Sequence, residues 1–455
     1  MSPIRPGLRP AALFATLVLA TVVGGCKTDN PNFCGNGDTR PECTGVDAAI
    51  DGAAGCMAMP ALCTADQTCA ADDICVDCTV GNNHQSADCT SPATSVCDTT
   101  RACRACAADT ECDSKFCDHG ACAPAAQVLF VRPDGNDVDN NCLAIATPCK
   151  TVTHALGEVP TSGAEPNTSR RYIKLMTAAT YVEPGVVMID DKTVVIVGAP
   201  VVGTERSVLD RTNNGITMEI KGGADVRLER LAVANATGNA ATGIFCREDA
   251  KLVADNIEVT NNTGLGIEGN TCVLTLRNSI VSRSVVGGVS VTAARVVIVN
   301  NVIVDNGGNT TSSFGGLRID VGVDPTSVIQ SNTIVGNHAA VSDGVTCIIP
   351  ELTILNSIIH GDGLKARVSG ACVFDHTLYG PDDPGNLLGT TRGNMAVPML
   401  ASFMFQAPAD YHIKAGSVAR GKGTLVGLAP EAAKDLDGQP RPQGAPDVGA
   451  DEIPD

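Results

Sequence analysis

From Val226 onward the chain repeats a short run of polar and aliphatic positions. Six segments superpose: Arg230-Leu-Ala-Val-Ala-Asn235, Asn256-Ile-Glu-Val-Thr-Asn261, Asn278-Ser-Ile-Val-Ser-Arg283, Asn301-Val-Ile-Val-Asp-Asn306, Asn332-Thr-Ile-Val-Gly-Asn337 and Asn356-Ser-Ile-Ile-His-Gly361. Their starts are 26, 22, 23, 31 and 24 residues apart. At that period a unit buries its apolar face only against the next one, as in a strand solenoid. The fourth position is aliphatic throughout (Val233, Val259, Val281, Val304, Val335, Ile359), which suits the interior column of a parallel sheet. The first is Asn in five of six segments. Asn tolerates the left-handed backbone of a sharp turn, and its amide can bond to the Asn one coil above. The third position is aliphatic too in the later segments (Ile280, Ile303, Ile334, Ile358). Period-two alternation cannot send both columns inward, so their facing stays open.

Cysteine phase gives an independent reading. Cys246, Cys272 and Cys372 each fall 16 residues after their segment's start and Cys347 falls 15 after its own. They therefore share one side of the solenoid. Parallel strands about 4.8 Å apart lie within disulfide reach, which predicts the bonds Cys246–Cys272 and Cys347–Cys372 between adjacent coils.

The chain of 455 residues has 21 cysteines, 14 of them between Cys34 and Cys122. Cys63-x5-Cys69-x5-Cys75-x2-Cys78 and Cys89-x7-Cys97-x5-Cys103-x2-Cys106 read as small disulfide knots over 63–124. The pieces Cys75 to Cys78 and Cys103 to Cys106 could instead share a zinc ion, though no neighbouring His completes such a site. Residues 27–124 hold 15 acidic against 5 basic side chains. Solvation is one reading of these and calcium the other, but the Asp residues follow no EF-hand order. Residues 26–62, rich in Gly, Asn, Pro, Ala and Asp, read as a flexible tether.

Residues 1–25 have the parts of a secretion signal: Arg5 and Arg9, the apolar run Ala11 to Val23, then small residues. Val23-Gly24-Gly25-Cys26 resembles the lipobox of bacterial lipoproteins, which implies acylation of Cys26 and a lipid hold on the membrane. Lys27, where an Asp would favour the inner membrane, implies residence at the outer membrane or cell surface. Setting Cys26 aside leaves an even 20 cysteines, consistent with full pairing in an oxidising compartment. Aromatics are 3% and Trp is absent, a composition of short strands and tight turns rather than large helices. A formal net charge of minus 18 argues against nucleic acid as a partner.

Residues 125–455 resemble the pectin-lyase-like superfamily, which implies an all-β, right-handed parallel β-helix with caps at both ends. Val128-Leu-Phe-Val-Arg-Pro-Asp-Gly135 and Pro148-Cys-Lys-Thr-Val-Thr-His-Ala-Leu156 look like its opening strand and short capping helix, with Val152, Ala155, Leu156 and Val159 on one face. A Cys142–Cys149 bond would close the loop at that cap. Asp410 to Ser417, Asp435 to Pro442 and Pro446 to Glu452 are similar to the closing segment of bacterial surface β-helix proteins.

The superfamily contains pectate lyases, which use calcium-binding carboxylates and a basic residue, and polygalacturonases, which use clustered Asp with His. The coils carry no Asn-Thr-Asp, Asp-Asp, Gly-His-Gly combination, and His360-Gly-Asp-Gly363 matches fragments alone; a lyase would need several carboxylates converging on one calcium, which a sequence does not display. Asp190-Asp191 and Asp382-Asp383 read as turn residues. Asp305 and His360 fall in one pattern column two coils apart, roughly 10 Å by strand spacing. Arg318, Asp320 and Asp324, in the longest insertion, are the catalytic candidates. No metal site or cofactor is expected, calcium being the ion left open. Two functions follow: a lipoprotein whose β-helix is a binding or structural scaffold for a glycan or surface protein, or a lyase or hydrolase of uronate polymers.

Overall fold

The computed structural model describes residues 85–454, apart from 162–170, 202–204, 212–213, 240, 309–311, 362–365, 381–391, 408–409 and 443, together with 68–69, 75–76 and 78. The signal segment 1–25, Cys26, the tether 26–62 and the Asp382-Asp383 pair lie outside the described residues. The chain divides into two compact units, 1–104 and 105–455.

In the first unit, Val96–Cys97 pairs antiparallel with Cys103–Arg104. Disulfides Cys78–Cys97 and Cys89–Cys103, with Cα separations of 5.7 and 5.6 Å, hold the hairpin. So few apolar residues cannot make a core, and the crosslinks take its place. In the second unit Cys106 pairs with Cys117 and Cys112 with Cys122. Cys78, Cys103 and Cys106 therefore lack the thiolates that zinc would need.

The second unit is built on three parallel sheets through which every coil passes in turn. An opening sheet of ten strands runs from Val128–Val131 to Val373–Asp375, a second of ten from Thr180–Val182 to Met395–Ala396, and a third of eight from Val187–Asp190 to Ala366–Gly370. Each strand pairs with its equivalents one coil before and after. The chain is thus an all-β, right-handed parallel β-helix, with one short helix at its opening. That helix, Val152–Gly157, buries Val152, Ala155 and Leu156 and begins at Thr151, whose hydroxyl accepts from His154 N. Glu183 completes the cap, accepting from Val152 N at 2.8 Å and Thr153 N at 2.9 Å. A disulfide joins Cys142 to Cys149 beside it.

The strand registers correct the superposition of the six segments. Val233, Val259, Val281, Ile303, Ile334 and Ile359 form one continuous inward column, all fully buried. Val304 and Val335 are not in it: they sit one residue further along, opposite Ser282 and His360. The slip arises at the Asn300-Asn301 doublet. The left-handed turn that opens each coil falls on Arg230, Asn256, Asn278, Asn300, Ser331 and Asn356, so the fourth and fifth coils start one residue earlier than the pattern suggests. Counted from these turns, Cys246, Cys272, Cys347 and Cys372 all fall 16 residues along. The structure joins Cys246 to Cys272 and Cys347 to Cys372, with Cα separations of 5.9 and 5.6 Å.

The asparagines consequently divide into two sets. Those at the turns point away from the interior, Asn300 and Asn356 lying buried against Lys434 and Thr424 of the C-terminal segment, and Asn300 Nδ2 donates to Asn278 Oδ1 at 3.3 Å. Asn301 and Asn332 are wholly buried. Asn332 Oδ1 accepts from both Asn301 N and Asn301 Nδ2 at 3.0 Å, and each amide donates on to a carbonyl, of Leu276 or of Ile298. Asn306 and Asn337 repeat this arrangement at the next corner. Backbone groups freed where the chain bends are thus satisfied inside the solenoid.

Two of the three outer faces are partly covered. On the second sheet, Val302, Val304, Val335, Ile358 and Leu378 pack under Phe403, Ile413, Ala419 and Val448 of the C-terminal segment. Both faces are buried there, which is why the third and fourth positions are both aliphatic. On the opening sheet, Phe130, Tyr172, Val195 and Val197 pack against Phe116 and Ala123.

Candidate functional site

The third sheet has an outer face that neither the C-terminal segment nor residues 105–123 cover, whereas the other two are covered in part. Parallel register aligns its outward side chains into a ladder, Glu219, Phe245, Glu268, Ser290, Arg318, Thr346 and Ser369. Arg247, Asn270 and Thr292 run beside it. Apart from Glu219, the first six rungs are half-buried rather than covered, and Asn270 is exposed. Rungs about 4.8 Å apart make this a flat face six steps long.

Charge on the face is paired at Arg247 and at Arg318. Arg247 Nε lies 2.7 Å from Glu219 Oε1 and also pairs with Glu248. Its guanidinium stands 5.7 Å from the centroid of the Phe245 ring, within cation–π reach. Burial pushes the Glu268 carboxyl above its ordinary range, against a Thr242 hydroxyl 3.5 Å away. Ser369 Oγ donates to Thr346 Oγ1 at 3.1 Å.

Two of the three candidates from the long insertion stand on this face. Arg318 is a rung, and it pairs with Asp320, which also accepts from Val321 N at 2.9 Å. Asp324 lies beyond, in a turn of its own. It accepts from Thr326 N and Thr326 Oγ1, each at 2.8 Å, and these bonds hold its carboxyl below the usual carboxylate range. The Asp305–His360 column does not exist. His360 is opposite Val335 and lies under the C-terminal segment, its ring 5.8 Å from that of Phe403. Asp305 occupies the left-handed turn one position later. The register slip that displaced Val304 produced this false alignment.

Acid–base chemistry on the face would need two carboxyls at a fixed separation, roughly 5–5.5 Å or 6.5–9.5 Å for glycoside hydrolysis. Glu268 and Glu219 are two rungs apart, about 10 Å, and Glu219 is bound to Arg247. Among the described residues, no group of three His, Cys or carboxylate ligands converges on this face. What the face offers is an aromatic ring, hydroxyls, amides and paired charges in a row, which suits binding.

A concavity of about 500 Å³ lies elsewhere, between the cystine-bridged turns and the opening sheet. Several of the charges around it are paired: His119 Nε2 lies 2.8 Å from Glu229, and Arg227 holds both Glu229 and Asp118. With Lys174–Asp109 at 2.9 Å, these bonds fasten residues 105–123 to the β-helix.

A second group of polar residues stood in the sequence without a recognised role. Arg441, 1% exposed at its side chain, pairs with Glu452 at 2.9 Å and donates to Asn300 and to the carbonyls of Asp447 and Gly449. Asp435 accepts from Gln439 N and Glu452 N. The spacing Asp410-x-His412 was the available signal, since alternate residues of an extended chain share a face.

No protein-family model matches the sequence, and no curated protein matches it. Among solved structures, that of pectate lyase Pel9A is similar: it is 15% identical, with 72% of this chain and 96% of that chain covered and a TM-score of 0.43. The three-sheet ladder described above establishes the architecture without it.

Proposed function

We propose that the chain is a lipid-anchored scaffold, held at the outer membrane or cell surface through Cys26, that binds a glycan with the outer face of its third sheet. The open ladder from Glu219 to Ser369 carries this reading. It is a repeating row of hydrogen-bonding groups around one ring, Phe245, of the kind that docks against a sugar. The cystines imply an oxidising, exported setting. The anchor rests on the sequence Val23 to Cys26. A surface protein is the other partner that such a face could take.

The competing reading is cleavage of a uronate polymer, and one experiment separates the two. The full chain is incubated with a polysaccharide panel that includes polygalacturonate with and without calcium. Retention on a polymer and formation of reducing ends and unsaturated uronides are both scored. Retention without cleavage is expected. Chelator-sensitive turnover would replace the scaffold with a lyase.

A further inference from the structure

At the C-terminal cover, three chain segments converge on one point. His412 comes from the strand Asp410–Ile413, Asp437 from the turn that Asp435 closes, and Asp451 from the tail. One ligand atom from each lies within 4.8 Å of the other two. The His412 ring is held from behind, its Nδ1 2.5 Å from Asp410 Oδ1, so Nε2 is the atom turned inward. Nε2 is buried and makes no well-aligned hydrogen bond, although Asp437 Oδ2 lies 2.9 Å away. Asp451 is 5% exposed, and its Oδ2 accepts from Ile413 N at 2.7 Å. Asp410 and Asp435 bring the local carboxylates to four, around one imidazole. The guanidinium of Arg441 is already bound to Glu452 and to carbonyls.

Close ligand atoms, a ring fixed by a carboxylate behind it and a buried imidazole nitrogen without an aligned hydrogen bond together describe a metal site. Two atoms bound at about 2.1 Å to one ion stand about 3 Å apart at right angles and about 3.4 Å apart at the tetrahedral angle of zinc, close to the 2.9 Å between His412 Nε2 and Asp437 Oδ2. One nitrogen with two carboxylates suits zinc or manganese, whereas calcium takes oxygen ligands. We infer that His412 Nε2, Asp437 and Asp451 hold one divalent transition-metal ion that ties three stretches of the C-terminal segment to one another over the second sheet. Asp410 is the positioning residue behind the imidazole.

The test uses the full chain, stripped with a chelator and dialysed against Zn²⁺, Mn²⁺ or Ca²⁺, with bound metal measured by elemental analysis and the fold checked by circular dichroism. One Zn²⁺ or Mn²⁺ per chain is expected. Asp437→Asn, at an exposed position, is expected to abolish that ion while leaving the fold intact. Asp410→Asn is expected to weaken binding roughly 10–100-fold, and Asp134→Asn, in the exposed opening turn, to bind as the parent does. The inference is overturned if the parent takes up no ion, if it takes up Ca²⁺ alone, or if Asp437→Asn binds as tightly as the parent.

Discussion

Asparagine serves two ends in this chain, and the difference is one residue of position. At Asn256, Asn278, Asn300 and Asn356 it accepts a left-handed backbone. At Asn301, Asn306, Asn332 and Asn337 its amide replaces lost backbone partners inside the solenoid. Sequence gave the recurrence of Asn but not which role each residue has, because Asn300 and Asn301 are adjacent and either fits the pattern. The distinction has an energetic consequence. Asn337→Ala removes the acceptor of Asn306 N and Nδ2 and the donor to Ile303 O. A loss of roughly 1–3 kcal/mol for each buried group left unpaired is expected in urea denaturation. Asn270→Ala, at an exposed rung, is expected to stay within about 0.5 kcal/mol. Equal effects of the two would refute the buried ladder.

At the scale of elements, the strands and their period were legible because each coil repeats an apolar stripe. Which aliphatic column points inward was not, since alternation fades where both faces of a sheet are covered. Ile303 points inward and Val304 lies under the C-terminal segment, yet both are β-branched and buried, and only strand pairing separates them. The cysteines were legible because their phase is independent of facing. Cys246 and Cys272 close a loop of 26 residues in sequence, for which chain entropy gives about 3.5 kcal/mol. In Cys246→Ala with Cys272→Ala, amide exchange is expected to speed up in strands Ile244–Arg247 and Lys251–Asp255 before it does so in the later coils. Uniform acceleration along the whole solenoid would show that the bond does not act locally.

For the whole molecule, function follows from which outer face remains open. Residues 105–123 take the start of the opening sheet and the C-terminal segment takes the end of the second, so the third is the face neither covers, although later strands of the opening sheet are also exposed, at Val273 for example. Sequence brought Arg318 and Asp320 forward as loop residues with chemistry. It could not show that they join Glu219, Phe245 and Glu268 in one row, because those residues are dozens of positions apart and meet only through the register of the coils. Nor could it place Asp324 apart from them, since that depends on how the turn folds back on Thr326. The most direct test is affinity electrophoresis of the full chain in polysaccharide gels, comparing the parent with Phe245→Ala, Arg318→Ala and Val273→Ala, the last on the exposed face of the opening sheet. Phe245→Ala and Arg318→Ala are expected to weaken retention on the bound polymer at least about tenfold, a loss of about 1.4 kcal/mol, while Val273→Ala migrates as the parent does. Unchanged retention in both ladder variants, or loss in Val273→Ala alone, would place binding on another face and contradict the account.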